Sequence, residues 1–156
     1  MYCYCSCSFK GTCFSVELST SKLGVLCTCD FLKKYDQLIE SPWNASIITA
    51  PAPNRGQVIK NMTGEGVEKL ILDALVKRID MILSIAIQFG HRHLVLGAWG
   101  CGVFKNDPVV VAELFKSALL KKSQSFDTVI FAVLDYSREC KTFNSFHEAF
   151  ASFPTE

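Results

Sequence analysis

Long hydrophobic runs are missing from this chain, and so is an excess of charge of either sign. The longest helical apolar stretch, Leu70 to Phe89, is interrupted by Asp73, Lys77, Arg78, Asp80 and Gln88, and cannot span a bilayer. Lysine and arginine number 16 against 15 acidic residues, a net charge of +1. Without a basic stripe, neither direct DNA binding nor a membrane surface is expected. The start lacks the basic and continuous apolar regions of a secretory signal, which points to an intracellular chain, cytoplasmic or nuclear. A disulfide framework is then not expected either. Cys-x-x-Cys pairs are also lacking, although cysteines number eight. Cys3, Cys5, Cys7, Cys13, Cys27 and Cys29 crowd the first 30 residues, leaving only Cys101 and Cys140 beyond them. Their Cys-x-Cys spacing could bind a soft metal through thiolates, although it is not the spacing of an ordinary zinc site. The expectation is free thiols in an atypical segment over 1–23, with no metal and no cofactor.

What is present reads as one α/β domain of 156 residues, 49% hydrophobic, large enough to bury a core. Its organising stretch is His93–Pro108. Leu94 to Leu96 is a short apolar strand, Gly97, Gly100 and Gly102 punctuate a turn, and Asp107-Pro108 starts a helix. The glycines permit positive φ and close approach of a ligand. Turn amides beside a helix N-terminus favour anions, phosphates above all. The turn lacks the Gly-Lys-Ser/Thr of a triphosphatase loop and the Gly-x-Gly-x-x-Gly of a dinucleotide fold, which excludes those two classes.

Around this stretch, alternation suggests a strand within Phe9–Leu18. Val25–Leu38 reads as a short strand followed by irregular chain, and Ser41-Pro42 as a break. Ala45–Ala50 is a β-branched strand, and 51–56 a loop, since two prolines and a glycine oppose regular structure. A helical period runs from Glu65 to Phe89, with Gly90 ending it, and a second helix from Pro108 to about Lys122. Thr128–Leu134 is another strand, and Asn144 caps a last helix over Ser145–Phe153. Right-handed crossovers would make the three later strands parallel, with their ends at Pro51, Gly97 and Asp135 opening on one side.

Three of these segments, Ile48–Asn54, Leu94–Pro108 and Val129–Asp135, closely resemble the microbial-type poly(ADP-ribose) glycohydrolases. The resemblance implies a macrodomain-like three-layer α/β/α domain over 24–156. Its mixed sheet would hold a parallel β-α-β-α-β core, shortened at the N-terminal end relative to that family. It also implies a ligand, ADP-ribose or poly(ADP-ribose), free or on a modified protein. Gly97, Trp99, Gly100, Cys101, Gly102 and Val103 would wrap the diphosphate, with Phe104 against the distal ribose. Asn54, in the Pro-Ala-Pro-Asn loop, would line the same cleft, and Phe131, Val133, Asp135 and Tyr136 the adenine side. Each has a plainer reading beside it. Phe104 and Trp99 could be core aromatics, and the Asn54 loop a rigid turn.

The family's catalytic loop is a glycine run followed by Gln-Glu-Glu, whose glutamate protonates the leaving ribose oxygen. Neither Gly-Gly-Gly nor Gln-Glu-Glu occurs in this sequence. The resemblance therefore implies recognition of ADP-ribose with the hydrolytic residue unassigned. Glu17, Asp30 and Asp135 are the carboxylic acids to test. Two alternatives stand beside it. One is a non-catalytic interaction domain or remnant, whose exposed sheet edge pairs with itself or a partner chain. The other is a hydrolase using Cys101, with its thiol acidified at the helix N-terminus.

Overall fold

The computed structural model describes residues 13–15, 25–34 and 37–153, and the side chains of 44–153. The chain divides into two compact units, Met1–Pro51 and Ala52–Glu156. The boundary expected between residues 23 and 24, and the side chains of Glu17, Asp30 and the first six cysteines, lie outside what is described.

In the first unit, β1 (Cys13–Ser15), β2 (Val25–Lys34) and β3 (Gln37–Thr49) form an antiparallel sheet in the order β1-β2-β3. Only Cys13–Ser15 of the strand expected within Phe9–Leu18 is described, and it is a strand. The stretch expected to turn irregular after a short strand is instead β2 and the start of β3. The break expected at Ser41-Pro42 lies inside β3. There the register jumps from Phe31 opposite Trp43 to Lys33 opposite Leu38. Such an irregularity is where a strand tolerates a residue without an N–H. The β-branched run at 45–49 is thus the end of a longer strand, and its ladder partner is β2, antiparallel, rather than a parallel neighbour.

The second unit runs α1 (Arg55–Asn61), α2 (Val67–Gln88), β4 (His93–Leu96), α3 (Pro108–Leu120), a 3-10 turn (Ser123–Ser125), β5 (Thr128–Phe131) and α4 (Lys141–Phe150). β4 and β5 pair in parallel, Leu94 opposite Val129 and Leu96 opposite Phe131. The helical period in α2 buries Ile71, Leu75, Ile79, Ile82, Leu83 and Ala86, one face at three- and four-residue spacing. Gly90 follows in the left-handed conformation that ends a helix, with φ 74°. α3 buries Val111, Ala112, Phe115 and Leu119. Phe115, 1% exposed, stands edge-on to Phe131 at 5.5 Å, and Phe131 packs against Phe146 and Phe150 of α4 at 5.2 and 4.6 Å. This ring stack fixes β5 to both helices. No helix among the described residues is long and apolar enough to cross a membrane.

Two helix starts differ from the sequence reading. Residues 55 and 56 are helical because Asn54 caps α1, its side-chain oxygen accepting the Gln57 amide at 3.1 Å. Both prolines precede the cap, so neither removes a helical N–H. α4 begins at Lys141, four residues before the expected start, and Asn144 lies within it. Its cap comes from Asp135, whose carboxylate accepts the amides of Thr142 and Phe143 at 2.7 and 3.2 Å. A cap so distant in sequence has no local signature. The strand itself ends at Phe131 rather than Leu134.

The Ser137 hydroxyl, then the amides of Ser137, Phe143 and Thr142, hold the Asp135 carboxyl down at about 2. Its unfolded value is about 3.9. The stabilisation it gives is therefore present above about pH 4 and is lost as pH falls through about 2. Asp135→Asn should lower the melting temperature at pH 7 by several degrees and flatten that acid loss, read by circular dichroism across pH 2–5. An unchanged acid profile would show that Asp135 does not hold α4.

Candidate functional site

Two loops of the second unit form the candidate site, residues 52–54 ahead of α1 and residues 97–107 between β4 and α3. Because β4 and β5 are parallel, Leu96 and Phe131 end at the same side of the pair. Ligand-binding loops of open α/β sheets lie at that side. The longer loop folds through its own backbone. Amides of Trp99, Cys101, Lys105 and Asn106 donate to the carbonyls of Gly97, Ala98, Gly102 and Gly100, at 2.8 to 3.1 Å. The amides of Gly102, Val103 and Phe104 donate to no acceptor among the described residues. Gly102 is exposed, Val103 is 89% exposed and Phe104 is half-buried. Consecutive unengaged amides in a turn are an anion-binding arrangement.

Of the three glycines in the loop, only Gly100 has a positive φ, 77°. A Cβ there would stand 2.6 Å from the Ala52 Cβ and 2.5 Å from the Asn106 amide nitrogen. Gly97 and Gly102 have room for one. The loop is further held to α1. The Gly56 amide donates to the Phe104 carbonyl at 3.1 Å, and the Asn106 side-chain amide donates to the carbonyls of Pro53 and Gly100, both at 2.9 Å. Asn106, Gly56 and Arg55 were not singled out from sequence. Asn106 was hidden beside the Asp107-Pro108 start signal, and among the described residues of the unit it is the buried polar one, 2% exposed.

The charges around the loop are unequal. Asp107 caps α3, accepting the Val109 amide at 3.0 Å, so a carboxylate already occupies that helix N-terminus. Any anion affinity therefore rests on the turn amides. Arg55 is paired with Glu68 at 2.6 Å, which raises its pKa through that hydrogen bond. Lys105, in the left-handed conformation at φ 57°, lays its stem beside Gly56 and has no carboxylate partner among the described residues.

The other expected residues divide. Phe104 is half-buried, in no ring stack among the described residues. Trp99 is half-buried and packs edge-on against Phe115 at 6.5 Å, an anchor between loop and core. Asn54 keeps its side-chain oxygen on α1. Phe131 belongs to the ring stack, Val133 is half-buried, and Tyr136 is 81% exposed. Asp135 is ionised and engaged at α4, so it has no proton to donate at neutral pH. Cys101 runs against the acidified-thiol reading. Burial first, and then the Asp107 charge, push its thiol up to about 11. His91 and His93 lie at the opposite end of β4 from the loop. Among the described residues no group of three His, Cys, Asp or Glu side chains is placed to hold a metal ion.

Solved structures share this fold. The chain matches poly(ADP-ribose) glycohydrolase (PARG) from Deinococcus radiodurans in complex with ADP-ribose, with 37% identity and a TM-score of 0.72. The match covers 83% of this chain and 54% of that one. The ligand-free form of the same protein gives 38% and 0.70, over 82% and 54%. PARG from Thermomonospora curvata gives 37% and 0.65, over 82% and 45%. This is a PARG-like chain. It has the mixed α/β, macrodomain-like fold of those proteins and spans about half the length of the structures it matches. No family model matches it, and no curated protein does.

A thiol held near 11 is almost wholly protonated at pH 7.5. Peptide mapping after iodoacetamide should therefore show the exposed Cys140 alkylated well before Cys101. Rapid labelling of Cys101 would restore the nucleophile reading.

Proposed function

We propose that this PARG-like chain binds ADP-ribose, free or within poly(ADP-ribose), and that residues 97–107 receive its diphosphate. The observation that carries the reading is the run of unengaged amides at Gly102, Val103 and Phe104. Gly100 holds that run in a conformation with no space for a side chain. A diphosphate is the part of ADP-ribose that such amides recognise. Lys105 adds a positive charge on the same loop. Gly97, Trp99 and Cys101 shape the turn, Phe104 lies toward the distal ribose, and Asn54 borders the cleft. The adenine side falls to residues 131–136, where exposed Tyr136 is freer to stack on a base than half-buried Phe131, engaged in the ring stack. The chemistry proposed for these residues is binding. No described carboxylic acid in the two loops is available as a proton donor, Asp107 being engaged as the α3 cap. An intracellular setting, cytoplasmic or nuclear, is part of the same proposal.

Calorimetric titration with ADP-ribose tests the reading. The folded protein should bind it, and Gly100→Ala should weaken binding by at least about tenfold, since the loop must shift to admit a methyl group. Incubation with poly(ADP-ribose) should release no ADP-ribose. A folded protein that takes up no ADP-ribose would overturn the proposal, and measurable release would replace a binder with an enzyme.

A further inference from the structure

We infer that Asn106 is a positioning residue for that diphosphate loop, a latch that sets the distance between residues 97–107 and residues 52–54. The inference rests on the ADP-ribose reading above and adds to it a residue and a means. Asn106 is 2% exposed, yet its side chain reaches two backbone carbonyls from different loops, Pro53 and Gly100, each at 2.9 Å. Its own amide also donates to the Gly100 carbonyl, at 3.1 Å. The Gly100 carbonyl thus accepts both the backbone and the side-chain N–H of Asn106, and the space for a Cβ at Gly100 is closed by Asn106 Nδ2 together with the Ala52 Cβ.

The other end of the side chain is the telling part. Its Oδ1 is buried and has no hydrogen-bond partner. An interior acceptor without a donor is unfavourable, so an asparagine here is a poor choice for stability alone. A leucine, with the same branched skeleton, would remove the orphaned oxygen along with the two donors. What it could not do is draw the Pro53 and Gly100 carbonyls toward one point. With both carbonyls pulled inward at Asn106, the amides of Gly102 to Phe104 are left without internal acceptors. The latch therefore acts on affinity for an anion through loop geometry, without touching the ligand.

Asn106→Leu, with Asn106→Ser as a second variant should leucine fail to fold, tests this. Melting temperature should change little in the leucine variant, since the lost hydrogen bonds and the removed orphan offset each other. Affinity for ADP-ribose and for ADP should fall together by about tenfold or more, while affinity for adenosine stays the same. In the ligand-free protein, the amides of Gly56 and Asn106, which bond within and across the two loops, should exchange with solvent faster in the variant. This last measurement needs no ligand, so it stands even where wild-type protein fails to bind ADP-ribose and the functional reading falls. Unchanged exchange would overturn the latch. So would an ADP-ribose affinity equal to wild type, or an equal loss for adenosine.

Discussion

The close approach of Gly100 to Ala52 and Asn106 is the constraint on which the rest of the site depends. Backbone can pass there only because no Cβ intervenes, and it does so in a conformation that side chains rarely adopt. From that crossing the loop gains its turns at Trp99, Cys101, Lys105 and Asn106, and its seam to α1 through Phe104 and Gly56. The seam also explains the cap at Asn54. By starting α1 immediately after the Pro-Ala-Pro-Asn run, it fixes the Pro53 carbonyl where Asn106 can reach it. A short helix that would be marginal alone is thereby held by the loop beside it.

Behind the loops, the aromatic stack does the corresponding work for the scaffold. Phe131 ends β5 and touches rings from α3 and α4, while Trp99 rests on the same Phe115 that Phe131 does. The loop, β5 and α3 therefore meet at the buried Phe115 ring, and Phe131 carries the stack on to α4. Large-to-small change at Phe115 would be felt at all of them, at a cost of about 3–5 kcal/mol for a fully buried phenylalanine.

Elements governed by local rules were legible in the sequence. The 3.6-residue period of α2, its Gly90 stop, the Asp107-Pro108 start of α3 and the apolar strands β4 and β5 all follow from neighbours in the chain. The strand–turn–helix stretch also carried the resemblance to the glycohydrolases. What was not legible depended on partners distant in sequence. α4 starts early because Asp135 reaches it from the end of β5, and Pro42 fits within β3 because β2 opposite shifts register. Asn106 had no sequence signal at all, since its meaning lies in Pro53, more than fifty residues away. Three glycines looked equivalent, yet geometry demands only Gly100.

The electrostatics of the loop narrow how an anion would be held. A helix N-terminus is the usual reason to expect phosphate at a strand-to-helix turn. Here Asp107 already answers the α3 dipole, and its negative charge helps push the nearby Cys101 thiol upward. A phosphate drawn toward that end would meet like charge. Arg55 is neutralised by Glu68, which leaves Lys105 as the cation of the loop without such a partner among the described residues. Affinity would then come from the amides of Gly102, Val103 and Phe104 with Lys105 beside them, the amide directions being set by backbone rather than by any titrating group. Such a site keeps its character across the pH range in which a thiolate or carboxylate site would change. In such a site fixed dipoles would stabilise a diphosphate through the backbone, with no proton moving in the act of binding.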